Sequence, residues 1–113
     1  FAPFLARGAD STIEDFVEAI EYVIDLIGDE RVGIGTDFTQ GHGLDFFDWI
    51  GRDKGTRRKV VEVGEVFTPK GLETLSNYPN LTDALVKAGW EESRIRKVLG
   101  ENWVRLLSEV WGS

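Results

Sequence analysis

The clearest pattern in the chain is an apolar stripe with helical spacing near its beginning. Apolar residues recur three or four positions apart at Ile13, Phe16, Val17, Ile20, Val23, Ile24 and Ile27. This spacing predicts an amphipathic helix. The sequence Ser11-Thr12-Ile13-Glu14 predicts a capping box where the helix begins, and Gly28 predicts where it ends.

A short run with β-branched residues follows this helix. Arg31 to Thr36 places Val32 and Ile34 between small residues, which predicts one strand of an α/β unit. The run stops at an acid, Asp37. A lone strand leaves its backbone donors and acceptors unpaired, so we expect its neighbouring strands outside this chain.

The middle of the chain, residues 38–70, is mostly irregular in pattern. Asp45 to Trp49 predicts a short aromatic helix, and Thr56 to Val63 predicts a second one. A strand over Val60 to Phe67 is the alternative for that second segment. Thr68 to Gly71 predicts a turn.

Three predicted helices close the chain. Asn80 caps the first, which ends at Gly89, and the second runs from Glu91 to Leu99 and ends at Gly100. The third carries the apolar positions Trp103, Val104, Leu107, Val110 and Trp111. The order helix, strand, long loop, helices is typical of one cycle of a parallel α/β fold whose other strands are missing.

Composition and charge disfavour several kinds of partner and site. The 113 residues carry a net charge of −7, which disfavours a nucleic-acid or anionic-membrane partner. The basic run Arg57-Arg58-Lys59 is better interpreted as a solvated helix face than as a phosphate site. The absence of cysteine excludes disulfides and thiolate metal sites and fits the cytoplasm. No apolar run is long enough to span a membrane.

The candidate chemistry centres on Asp37. Ligands of parallel α/β folds bind at the carboxyl ends of the strands, where Asp37 lies, although an acid there can also simply cap a turn. His42, between two glycines, is the single histidine, so metal ligation is disfavoured. Gly33-Ile34-Gly35 lacks the third glycine of a dinucleotide site, and no nucleophile elbow supports a Ser-His-Asp triad. The four tryptophans are interpreted as packing residues.

Three stretches carry a resemblance to a known family. They are Asp25 to Gly28 leading into Val32-Gly33-Ile34-Gly35-Thr36-Asp37-Phe38, Pro69 to Glu73 with Tyr78 to Thr82 and Ala84-Leu85, and Ile95 to Arg105. Together they resemble the membrane dipeptidase (renal dipeptidase) family of metallopeptidases. Within that family they are similar to the last barrel strand, to the helical region that follows it and to the closing motif.

The resemblance implies a fold, a reaction and a cofactor. Residues 1–113 would be the C-terminal segment of a TIM-type (α/β)8 barrel, an α/β fold, comprising the last helix–strand unit and the closing helices. The complete enzyme would hydrolyse the amide bond of dipeptides with water activated by two zinc ions. The metal ligands of the family lie upstream, so no zinc is expected in this segment alone, which would be inactive without the upstream part of the same barrel.

The resemblance also implies site residues. Asp37 matches the acid at the end of the eighth strand, and Phe38, Thr39, Gln40 and His42 fall in the loop that would line the substrate pocket. The family often has Asp-Phe-Asp-Gly here, whereas this chain has Asp37-Phe38-Thr39-Gln40-Gly41 and a larger aromatic stretch after it. These departures leave open which dipeptide or amide would be the substrate. Assembly into a homo-oligomer is also left open.

Two further hypotheses remain. Asn102 and Arg105 are three residues apart and can share a helix face. From that face, Arg105 would contact a carboxylate or carbonyl of the barrel wall. The alternative is that both side chains are only solvated.

The second hypothesis belongs to a different class of function: the chain could be an autonomous helical protein-interaction module without catalysis. The unpaired strand argues against that alternative.

Overall fold

A computed structural model describes residues 7–36, 41–52, 57–59 and 67–112 of the chain. Within them lie five α-helices: α1 (Ile13–Ile27), α2 (Leu44–Ile50), α3 (Pro79–Lys87), α4 (Glu92–Arg96) and α5 (Asn102–Trp111). A π-helical turn, Lys97–Glu101, joins α4 to α5 without a break. Three short 3-10 turns, Gly8–Asp10, Asp29–Arg31 and Leu75–Asn77, complete the list. In this part of the chain, no helix is long and apolar enough to cross a membrane.

Helix α1 confirms the apolar stripe and the glycine at its end. Gly28 has a φ of 82°, and its amide donates to the Ile24 carbonyl at 2.7 Å. The capping box lies one residue later than predicted, because the N-cap is Thr12 and its partner is Asp15. Ser11 cannot serve as the cap: its side chain is fully buried, and its carbonyl accepts the Lys70 amide at 2.8 Å.

The hydrophobic core lies between α1, α3 and the α4–α5 segment. Its buried apolar residues are Ile13, Phe16, Val17, Ile20, Ile24, Val32, Leu72, Leu81, Leu85, Trp90, Ile95 and Val98. Two members of the predicted stripe are not covered, since Val23 is 40% exposed and Ile27 is 48% exposed. The apolar face of α1 is therefore wider than the surface that packs against it here.

The predicted strand over Arg31 to Thr36 is not a strand in the described part of the chain. Arg31 ends a 3-10 turn, and the backbone becomes extended at Val32, with φ −106° and ψ 133°. A strand requires a neighbouring backbone for its ladder of hydrogen bonds. The described residues supply none for positions 32–36, which therefore form an extended segment without a ladder.

The closing helices differ from the prediction at two boundaries. Asn80 lies inside α3, which begins at Pro79, and its side-chain amide donates to the Gly71 carbonyl at 2.9 Å instead of capping the helix. Gly100 does not end a helix but lies within the π-helical turn. The end near Gly89 is confirmed, with α3 finishing at Lys87 and Gly89 at φ 83°.

The middle region is described only in part. Helix α2 confirms the predicted aromatic helix, and the amide of Leu72 closes the predicted turn on the Pro69 carbonyl at 2.9 Å. Residues 57–59 are exposed but not helical, because Lys59 forms an isolated antiparallel bridge with Arg52. The rest of the predicted Thr56 to Val63 helix, and nearly all of the alternative strand, lie outside the described residues.

Candidate functional site

The extended segment 32–36 leads to the position of the candidate acid. Val32 is buried in the core and Ile34 packs against it, whereas Gly33 and Gly35 are exposed. This alternation is that of an extended backbone with one side toward the core and the other side away from it. Four of the five predicted site residues, Asp37, Phe38, Thr39 and Gln40, lie outside the described residues.

The start of this segment is held by side chains of α5. The Asn102 side-chain amide donates to the carbonyls of Asp29 at 2.6 Å and Val32 at 2.8 Å. The Arg105 guanidinium donates to the Glu30 carbonyl at 2.6 Å. Arg105 thus contacts a backbone carbonyl, that of the 3-10 turn Asp29–Arg31, and is not only solvated, whereas its contact with a barrel wall stays a prediction. The two residues share one face of α5.

An ion pair strengthens the same junction. The Lys97 ammonium hydrogen-bonds the Glu30 carboxylate and lies 3.7 Å from the Asp29 carboxylate. The Lys97 hydrogen bond lowers the pKa of Glu30, and the Glu30 hydrogen bond raises the pKa of Lys97. Both groups are therefore charged at neutral pH, and the turn before the segment is tied to the π-helical turn.

Trp103 packs directly over Gly33. A Cβ atom added at Gly33 would lie within 2.8 Å of the indole Cε2, closer than two carbon atoms can approach. The indole and the segment line a cavity of about 250 Å³, shared with Asn102 and Leu106. Glycine at position 33 thus allows α5 to approach the backbone closely.

His42, the remaining predicted site residue, lies against α2. Its ring stacks on Phe46 with centroids 4.2 Å apart, and Phe46 in turn stacks on Trp49 at 6.5 Å. His42 itself is exposed. The aromatic stretch that departs from the family pattern therefore forms one stacked surface with the loop histidine.

Ion pairs hold the C-terminal end of α2. The Arg52 guanidinium donates to the Asp48 carboxylate at 2.8 Å and 2.5 Å, and the Lys59 ammonium lies 3.5 Å from the same carboxylate. The Arg52 hydrogen bond lowers the pKa of Asp48. Asp48 is therefore an ion-pair partner and not a free acid available for proton transfer.

The described residues do not fit a two-zinc site. No group of three or more histidine, cysteine, aspartate or glutamate side chains converges among residues 7–36, 41–52, 57–59 and 67–112. His42 faces an aromatic ring, and the acids nearest the extended segment, Asp29 and Glu30, are paired with Lys97. This part of the chain offers a hydrogen-bonded support for a site, and the metal ligands would have to come from elsewhere.

Of the tryptophans, Trp90 is confirmed as a packing residue. Trp90 is buried, donates to the Glu21 carboxylate at 2.7 Å and is covered by the Arg94 guanidinium at 4.1 Å. Trp49, Trp103 and Trp111 are 45% to 76% exposed. Their exposure, together with that of Val23 and Ile27, leaves a large apolar surface uncovered in this chain alone.

Comparison with known proteins gives a consistent result. The sequence profile of the family described as "Membrane dipeptidase (Peptidase family M19)" matches residues 44–111. A dipeptidase of Aspergillus terreus, ataJ, is 30% identical over 93% of this chain and 20% of its own length. An uncharacterized protein from the pqqA 5' region of Klebsiella pneumoniae is 27% identical over 93% of this chain and 30% of its own length.

A solved structure is similar over the whole chain. The crystal structure of an amidohydrolase from Pseudomonas aeruginosa is 55% identical, with a TM-score of 0.91. The match covers 100% of this chain and 35% of the amidohydrolase. The chain thus spans between a fifth and about a third of the length of these relatives.

Proposed function

The chain belongs to the membrane dipeptidase family, and on that premise we propose that it is the C-terminal part of a hydrolase that cleaves the amide bond of dipeptides. The observation that carries the proposal is the likeness to the Pseudomonas aeruginosa amidohydrolase, 55% identical at a TM-score of 0.91. We call the complete hydrolase the parent enzyme. The wide uncovered apolar face of α1 supports this proposal, because an upstream region of a barrel would cover it.

In the parent enzyme, this chain supplies a carboxylate and its support. Asp37 follows directly on the extended segment 32–36, whose first residues are held by Asn102 and covered by Trp103. At the carboxyl end of a barrel strand, Asp37 would transfer a proton or bind the ammonium group of the dipeptide. The two zinc ions expected for the family would bind to upstream residues and supply the activated water.

The loop after Asp37 would select the substrate. His42, Phe46 and Trp49 form a stacked aromatic surface, which suits contact with an apolar or aromatic side chain of the dipeptide. Phe38, Thr39 and Gln40 precede this surface in sequence and would complete the pocket. The proposal for these residues rests on their position in the chain.

The role of Asp37 is tested by Asp37→Asn in the parent enzyme. We expect a loss of turnover of at least about a hundredfold, because a neutral amide can neither transfer the proton nor attract an ammonium group. The zinc content should equal that of the wild type, as measured by elemental analysis. Turnover within a few-fold of wild type, with intact zinc content, would rule out this role.

A further inference from the structure

The contact that carries the inference is the double hydrogen bond of Asn102. A side-chain amide has two N–H donors, and here they bond the carbonyls of Asp29 and Val32. The residue is only 8% exposed, so water does not compete for these bonds. Asp29 is the first residue of the 3-10 turn Asp29–Arg31 and Val32 directly follows the turn, so one side chain bonds the start of the turn and the start of the extended backbone.

The π-helical turn Lys97–Glu101 explains how Asn102 comes to face these carbonyls. Such a turn holds one residue more than a regular α-helical turn, which rotates every later residue by about 100° relative to a regular continuation. Because the π-helical turn ends immediately before Asn102, the rotation acts on it directly. Single π-helical turns are uncommon and are found frequently at functional sites.

What Asn102 fixes is the register of the extended segment. Val32 and Ile34 lie on the core side of the segment, while Gly33, over which Trp103 packs, and Gly35 lie on the opposite side. Asp37 follows this segment directly in sequence. A shift of one residue would move every side chain of the segment to the other face.

We propose that Asn102 is a positioning residue for the hydrolysis reaction: by bonding the first residue of the turn and the residue that follows the turn, it sets the register of residues 32–36, the segment that leads in sequence to Asp37. This inference rests on the proposed function for its effect on turnover. The part of the proposal that concerns only the conformation of residues 32–36 can be tested without any substrate. Asn102 acts through the backbone and does not touch the reacting atoms.

Arg105 provides a matched comparison on the same helix face. Its guanidinium bonds the Glu30 carbonyl, in the middle of the same turn, and does not contact Val32. Its side chain is 48% exposed and also pairs with Glu109 at 3.3 Å. Arg105 therefore stabilises the turn without determining where the extended segment begins, and its removal should lower stability more than it lowers turnover.

The experiment compares four variants of the parent enzyme. Asn102→Asp is nearly isosteric but removes both N–H donors of the side chain. Asn102→Ser keeps one hydrogen-bond donor in a smaller side chain and is the variant expected to remain folded. Arg105→Ala controls for loss of a bond to the same turn. Asn80→Ala controls for loss of an amide-to-carbonyl bond elsewhere, since Asn80 donates to Gly71.

Two readouts separate positioning from general stability. The first is amide hydrogen exchange of residues 33–36, measured without substrate and compared with exchange of the α1 core amides. The second is the dependence of kcat and KM on pH, measured well below the melting temperature of each variant with the dipeptide that the wild type cleaves fastest.

We expect Asn102→Ser to speed exchange at residues 33–36 selectively and to lower kcat about ten- to a hundredfold, because small misplacements of a reacting group have effects of that size. KM should change less than about threefold. The acidic limb of the plot of kcat against pH should shift along the pH axis. Arg105→Ala and Asn80→Ala should keep kcat within about twofold.

The inference is overturned if folded Asn102→Ser keeps the wild-type kcat and pH profile, or if Arg105→Ala lowers kcat equally at the same loss of melting temperature. Unchanged exchange at residues 33–36 would also overturn it. A wild-type parent enzyme that cleaves no dipeptide would instead contradict the proposed function, and the exchange measurement would still decide whether Asn102 controls the segment.

Discussion

At the scale of single residues, the closest fit in the structure is between Gly33 and Trp103. The indole lies where a side chain at position 33 would be, and this leaves hydrogen as the only substituent that fits. Glycine in an extended segment allows another element to approach closely, but the sequence does not indicate which residue approaches. Trp103 is 70 positions further along the chain, and no local pattern connects the two.

Gly33→Ala in the parent enzyme should destabilise the fold by about 1–3 kcal/mol, the usual cost of inserting a methyl group into a filled space. The free energy of unfolding in urea measures this. Gly100→Ala is the matched control, because a Cβ atom there meets nothing within 4 Å. It should be neutral or slightly stabilising, since alanine favours helix over glycine. Equal effects of both substitutions would contradict the packing of Trp103 on Gly33.

At the scale of elements, α1 was the most predictable because its stripe, cap and terminal glycine are all local signals. The cap was displaced by one residue, since the backbone bonds of Lys70 to Ser11 and Ile13 decide where the helix begins. The π-helical turn was missed for a similar reason. Gly100 is a common helix end in sequence, but the bonds of Asn102 and Arg105 to the turn Asp29–Arg31 continue the helix through it.

The capping box predicts a pH dependence for α1. The Thr12 amide donates to the Asp15 carboxylate at 2.8 Å, and this bond lowers the pKa of Asp15 below its ordinary value of 3.8. The contribution of the charged carboxylate to stability is therefore complete above that ordinary value, and is lost as the pH falls through the lower pKa of the folded state.

Asp15→Asn should accordingly destabilise the parent enzyme near neutral pH, and the difference from wild type should shrink as the pH is lowered from about 6 to about 2. Urea unfolding at several pH values measures it. Glu14→Gln, an exposed acid in the same helical turn, is the control and should show a smaller pH-dependent difference. A difference for Asp15→Asn that is constant with pH would show that the capping bond does not involve the charged form.

At the scale of the whole molecule, the fold class was predicted only in part. The helical character of the described residues followed from the sequence. Sheet neighbours outside this chain stay a prediction, which rests on a single β-branched run between helices. The strand itself did not form in the described residues, since its ladder requires backbone from other strands. For the candidate site the sequence offers a position in the chain, Asp37, which stays a prediction, whereas the contacts of α5 with residues 29–33 join residues too distant in sequence for a local pattern to indicate.

The expectation that sheet neighbours lie outside this chain leads to a prediction for residues 1–113 alone. Exposed apolar side chains on α1 and α5, including Tyr22, Leu26, Val110 and Trp111, should drive aggregation or a molten state. Circular dichroism should show helix with no sharp thermal transition. A cooperative, monomeric melt would favour the alternative function, an autonomous helical interaction module.

The central claim is that this chain supplies part of a dipeptide hydrolase and not the whole active site. The most direct measurement gives purified residues 1–113 zinc and a panel of dipeptides, beside the parent enzyme under the same conditions. We expect background hydrolysis and no stoichiometric tight zinc for residues 1–113, because the described residues bring no metal ligands together. The parent enzyme should cleave at least one dipeptide. Two tightly bound zinc ions per chain, or turnover by residues 1–113 alone, would contradict the account.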